Sequence, residues 1–171
     1  PNLIMNGKLD SYLVQPKNVL LAVISSGTNT SAIGDLIYGY IVIIICRFSI
    51  LNLILFILVS IIGGIVLTAF AVIAGSISFW IVRGDMISHN LVSSVIHFST
   101  YPDGIFKGAV RLIIYTIIPV GIINYLPLKI ILDFKPETLL IVFLATAIFV
   151  ALAFLIFYRG LRRYSSGNLM I

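Results

Sequence analysis

No charged side chain occurs between Phe48 and Val82, and a second uncharged apolar run extends from Thr138 to Tyr158. About 20 apolar residues in a helix cross the hydrocarbon of a bilayer. In lipid each segment must satisfy its own backbone hydrogen bonds, so runs of this kind read as transmembrane helices. The pattern gives spans at about 32–46, 51–82, 108–126 and 138–158. The first is short and carries Asp35 in its opening turns, read as an interfacial carboxylate at the positive end of the helix dipole. The second would measure about 48 Å unbroken, well beyond a hydrocarbon core of about 30 Å, so it has to tilt, bend or protrude. Gly63, Gly64 and Gly75 are the places for a bend or a close helix contact, and Trp80 marks the interface.

Between these runs the pattern changes character. Residues 1–31 alternate polar groups with Leu9, Leu13 and Leu20 at helical spacings on either side of Pro16, as in short amphipathic helices at a membrane surface. Gly27 to Ser31 read as a turn, with Ser31 the cap of the first span. Residues 84–102 are amphipathic and too polar to span, which predicts a second surface-lying segment. The stretch 108–126 is interrupted by Pro119, Gly121, Asn124 and Pro127. A proline inside a helix removes a backbone bond, so this span is predicted to be broken where protein or a cavity covers the freed carbonyl. A tail, 159–171, stays outside the bilayer.

Composition supports one all-α, polytopic membrane bundle. The 171 residues are 60% hydrophobic and 10% charged, with a mean hydropathy of +1.17, against about 25% charged in an ordinary globular domain. The net charge of +5 falls in no cluster suited to nucleic acid and reads as membrane topology. Lys8, Lys17, Arg83, Lys107, Arg111, Arg159, Arg162 and Arg163 fall on one side of a four-span arrangement, and Arg47, Lys129 and Lys135 on the other. That bias assigns both ends to the cytoplasm, with Arg159, Arg162 and Arg163 as cytoplasmic anchors. Cys46 is the only cysteine, so no intrachain disulfide can form. The chain begins at Pro1 without a signal-peptide pattern and reads as truncated at its start.

Little in the sequence suggests chemistry of its own. No G-x-x-x-x-G-K-[ST] loop is present to wrap nucleotide phosphates. Gly75, Ser76 and Ser78 with His89 and His97 raise an intramembrane hydrolase, but no nucleophile elbow forms and small residues at these positions serve helix packing. The two histidines are too far apart for a helical zinc pair and lack a third ligand. Asp10, Asp85 and Asp103 read as solvated loop carboxylates or caps. No covalent cofactor is suggested.

Several segments carry a family resemblance: Asn6 to Pro16, Ala32 to Asp35, Phe79-Trp80, Tyr101-Pro102, the stretch from Pro119 to Pro127, and the tail Gly160 to Gly167. Together they resemble the membrane subunits of type 2 ATP-binding cassette exporters, and more narrowly their bacterial ABC-2-like permeases. Members of that family usually have six spans, which implies that the first two are missing here. The resemblance implies a permease without a nucleotide-binding motif, a separate ATPase subunit that holds ATP and Mg, and a second permease, identical or related. It implies further that residues 1–31 form a cytoplasmic elbow that docks on the ATPase. In it Gly7 and Pro16 shape the turn, Leu9, Tyr12 and Leu13 anchor it, and Lys8 and Asp10 pair with the partner. Pro119, Asn124 and Pro127 would close the outer end of a pathway, or else make a bend needed only for packing. The leading expectation is a multi-pass permease of the inner membrane that exports a small or amphiphilic substrate. A non-transporting scaffold or regulatory protein comes second and an intramembrane hydrolase third.

Overall fold

The computed structural model describes residues 2–27 and 31–164, and among them every regular element is helical. Three short helices form the elbow, α1 (Asn2–Met5), α2 (Asp10–Leu13) and α3 (Val19–Ser25). Then come α4 (Ser31–Arg47), α5 (Ile50–Ser76), α6 (Gly84–Ser99), α7 (Gly108–Thr116), α8 (Leu126–Leu132) and α9 (Pro136–Leu161). The turn expected at Gly27 to Ser31 lies largely outside the described residues, as does the tail beyond Tyr164.

The two uncharged runs become the two long helices. α5 has 27 residues, or about 40 Å at 1.5 Å per residue. It continues unbroken through Gly63 and Gly64, then tightens into a 3-10 turn at Ile77–Phe79. α9 opens with Pro136 in its first turn, where the missing N–H costs no helical bond, and places Glu137 near its N-terminus and Arg159 near its C-terminus, both favourable to the helix dipole. The helix α5 extended to Phe79, and α9, are each long and apolar enough to cross a membrane. α7 with the segment Gly121–Leu132 makes a third crossing if this pair, bent by 75°, counts as one. α4 has 17 residues, about 25 Å, short of a hydrocarbon core of about 30 Å. Among the described residues two or three crossings meet the length and composition of a span, against the four expected from the sequence.

α5 and α9 run parallel and make the largest helix contact in the molecule. At one end Arg47 Nη1 donates to the Leu132 carbonyl at 2.8 Å. At the other the Phe79 ring packs edge-on to Phe157 with centroids 5.8 Å apart. Gly160 lies so close under Phe79 that a Cβ there would overlap the ring. The buried face of α5 is Leu55, Val59, Ile62, Val66, Ala69 and Phe70, met by Val142, Phe149 and Ala153 of α9. These positions recur every three to four residues, one stripe of a helix. Lipid is as apolar as that stripe, so the contact is held by close packing rather than by escape from water.

α6 forms where the amphipathic segment predicts a helix, but it doubles back along α5. Its start is pressed against the α5 turn, since a Cβ on Gly84 would stand 2.6 Å from Ser78 Cα. Val95 lies buried in the same core as α5, and its C-terminal carbonyls reach the bend after α7. Sixteen residues separate these ends by about 24 Å. The Asp103–Arg111 pair, just beyond that C-terminus, is thereby separated from the elbow, with which the charge count had grouped Arg111. The end of the bundle that carries the elbow keeps Lys8, Lys17, Arg83, Arg159, Arg162 and Arg163.

Candidate functional site

The broken helix predicted between Pro119 and Pro127 is the most irregular backbone in the bundle. α7 stops at Thr116; Ile117 and Ile118 both donate back to the Ile113 carbonyl at 2.9 and 3.0 Å, and Pro119 is fully buried. The chain then takes a π-helical turn, Gly121–Tyr125, and runs into α8 with Pro127 in its first turn. Pro127 has no N–H to offer the Ile123 carbonyl one turn earlier. That carbonyl faces Gly63 of α5, 3.4 Å from where a Cβ would stand. Gly63 thus provides the close helix approach expected of it. Gly121 performs a similar service beside α7: any Cβ there would overlap the Tyr115 ring.

Two side chains pin this bend to the end of α6. Asn124 Nδ2 donates to the Ser99 carbonyl at 3.1 Å. The Tyr125 hydroxyl lies 2.8 Å from both the Phe98 and the Tyr101 carbonyls, at and just past the end of α6, where carbonyls run out of helical partners. The open cavity beside the bend is about 900 Å³, lined by Ser99, Tyr101, Asp103, Arg111, Tyr115, Asn124, Tyr125, Lys129 and several leucines. Asp103 Oδ2 accepts from Arg111 Nη2 at 3.0 Å, and the guanidinium stands 5.7 Å over the Tyr115 ring. Asp103 is therefore an ion-paired wall of the cavity and not the freely solvated carboxylate that the sequence suggested. Of the three expected gate residues, Asn124 lines the cavity, whereas Pro119 and Pro127 are buried and set the backbone around it.

The elbow divides its predicted anchors. Gly7 adopts φ +66°, a left-handed conformation that glycine accepts without strain, and so it makes the turn between α1 and α2. Leu9 is 1% exposed and turned toward the bundle, away from a docking subunit. Leu13 is 42% exposed and Val14 85%, and Lys8 and Pro16 are also exposed. Val14 was missed because a single valine beside Leu13 adds nothing to a helical stripe.

Elbow and α9 are tied together at their shared end. Asn18 Oδ1 accepts from the Leu21 amide at 3.2 Å, capping α3, and also from the Tyr158 hydroxyl at 3.0 Å. The Tyr164 phenol, packed edge-on to Phe79, is held above its usual pKa, first by burial and then by the Asp10 carboxylate beside it. Arg159, Arg162 and Arg163 stay exposed here.

Among the described residues no hydrolytic constellation assembles. The Ser76 hydroxyl donates to the Val72 carbonyl at 2.7 Å, Ser78 is enclosed against Gly84, and the nearest side-chain partner of His89 is Ser93 at 3.5 Å. The sequence matches the family model described as ABC-2 family transporter protein over residues 1–167. No curated protein and no solved structure matches the chain. An apolar helical bundle, a proline-broken helix and a match across nearly the whole chain place this protein in the ABC-2 family of transporter membrane proteins.

Proposed function

We propose that the chain is the permease of an exporter driven by a separate ATPase subunit, working beside a second permease in the cytoplasmic membrane with its elbow end facing the cytoplasm. ATP and Mg act on the ATPase subunit. Closure of two such subunits pushes the elbow, and the push reaches α9 through the Asn18–Tyr158 bond and the Asp10–Tyr164 contact. α9 lies along α5, and α5 holds the bend at Gly63. A route of packed elements of this kind couples two sites only if they bias the same two-state element. Here that element is the bend around the 900 Å³ cavity, which opens and closes to a small or amphiphilic substrate.

The observation that carries the reading is an elbow with exposed Leu13 and Val14 whose other face is bonded to the last helix. Leu13→Asp should leave the bundle folded and abolish the stimulation of ATP hydrolysis by transport substrate. The protein is isolated from native membranes with its stoichiometric companions, and ATPase activity and export are measured for both forms. Absence of a Walker-motif ATPase among those companions, or unchanged coupling in Leu13→Asp, refutes it.

A further inference from the structure

A cleft of about 270 Å³ separates the elbow from the two long helices, lined by Ile4, Leu9 and Leu20 on one side and Ala71, Val72 and Phe157 on the other. The hydroxyls on its wall are already engaged, Thr68 with the Gly64 carbonyl and Ser76 with the Val72 carbonyl, so the surface offered is apolar. One turn of a peptide helix, about 10 Å across and 5.4 Å long, would need over 400 Å³, so only part of its girth could enter the cleft. An unbranched hydrocarbon chain needs no such width.

Exposed cations surround this end of the bundle. Lys8 adjoins Leu9, Lys17 adjoins Asn18, and Arg159, Arg162 and Arg163 follow Phe157. None of the five is in an ion pair among the described residues, where the salt bridges are Arg111–Asp103 and Lys135–Asp133. Basic groups around a cleft between membrane helices attract anionic lipid headgroups, and each cation near the surface adds to the attraction.

We propose that an anionic phospholipid occupies this cleft, one acyl chain lying between elbow and bundle and the phosphate among Lys17, Arg159 and Arg162. The lipid then forms part of the joint between elbow and α9. The inference requires the membrane setting but not the export reading, and the two can fail separately.

Trp80 is the single tryptophan, and its ring packs against Phe79, which in turn touches Phe157 of the cleft. It serves as the reporter. The intact protein is placed in nanodiscs of phosphatidylcholine with increasing fractions of phosphatidylglycerol, and bromines on the acyl chains of one lipid or the other quench Trp80. Brominated phosphatidylglycerol should quench at a several-fold lower mole fraction than brominated phosphatidylcholine. That preference should fall at least about three-fold in the combined Lys17→Gln, Arg159→Gln, Arg162→Gln variant. It should also fall in Ala71→Phe, which fills the cleft and leaves the charges in place. Equal quenching by the two lipids in the unmodified protein overturns the proposal whatever the variants do. A preference that survives Ala71→Phe with helix content intact overturns the seated acyl chain. Trp80 insensitive to both lipids shows a cleft closed by protein and overturns it too.

Discussion

Tyr125→Phe removes one oxygen atom and leaves the aromatic packing in place. The ring of Tyr125 is 9% exposed and lies beside Phe106 and Tyr115, so phenylalanine fills the same space. What is lost is the hydroxyl at 2.8 Å from the Phe98 and Tyr101 carbonyls. Its single proton serves one carbonyl at a time, so one hydrogen bond disappears; the Phe98 carbonyl keeps the Tyr101 amide at 3.3 Å, and the Tyr101 carbonyl loses its donor. An unsatisfied buried polar group costs about 1–3 kcal/mol, although hydrogen bonds between membrane helices average nearer 0.6 kcal/mol. If the segment is covered by protein the larger range applies, and local opening becomes about 5–150 times more frequent. The amides of Tyr101, Ile105 and Phe106, which donate within this loop at 3.2–3.3 Å, report that opening by hydrogen exchange in nanodiscs. Exchange at these three amides should accelerate by that factor while the middle of α9 is unchanged. An acceleration below about two-fold at all three would refute the argument that Tyr125 holds the bend against α6.

Gly160→Val should separate α9 from the turn after α5, because its side chain would enter the Phe79 ring. A loss of about 1–3 kcal/mol is expected for such overpacking, read as a lower unfolding temperature, and Phe79→Ala in the same chain should restore part of it. Pro119→Ala should fold normally and change the rate of export while leaving basal ATP hydrolysis alone; unchanged export would reduce the proline to a packing bend. Tyr164 makes a pH prediction. Its folded pKa is raised above 10.0, chiefly by burial and then by Asp10, so its contribution to stability is complete below the unfolded value and declines as pH climbs through the raised one. The phenolate absorbance that Tyr164→Phe removes should titrate above the ordinary tyrosine range, and Asp10→Asn should bring it only part of the way back. Titration at the ordinary value would remove the elbow from this contact.

Sequence alone was sufficient for the long helices. α5 and α9 begin and end within a few residues of the uncharged runs because a helix in lipid closes its own backbone bonds and needs no partner to be recognised. The break at Pro119 was equally visible, since proline removes a hydrogen bond wherever it stands. The elbow turn at Gly7 was expected through the family resemblance, and the structure holds it at φ +66°, which glycine accepts without strain. Packing could not be read in the same way. α5 is apolar on every side, and the stripe that it buries is fixed only by the shapes of α9 and of the bend. The polar groups of α6 suggested a segment lying along the membrane surface, and the structure adds that Val95 and its terminal carbonyls join it to the core.

The sites divide along the same line. Pro119, Asn124 and Pro127 lay in one stretch of chain, so the bend was legible. Asp103, Arg111 and Tyr125 form its cavity from separate segments that approach only after α6 folds back. Leu9 and Leu13 looked alike in the sequence, and the contact between elbow and bundle alone buries one and exposes the other. Hydropathy is a local property and fixed which segments enter lipid. Among surfaces that are all apolar, only the complementarity of whole helices selects neighbours, and this left the cavity, the cleft and the joint between elbow and α9 to the tertiary structure.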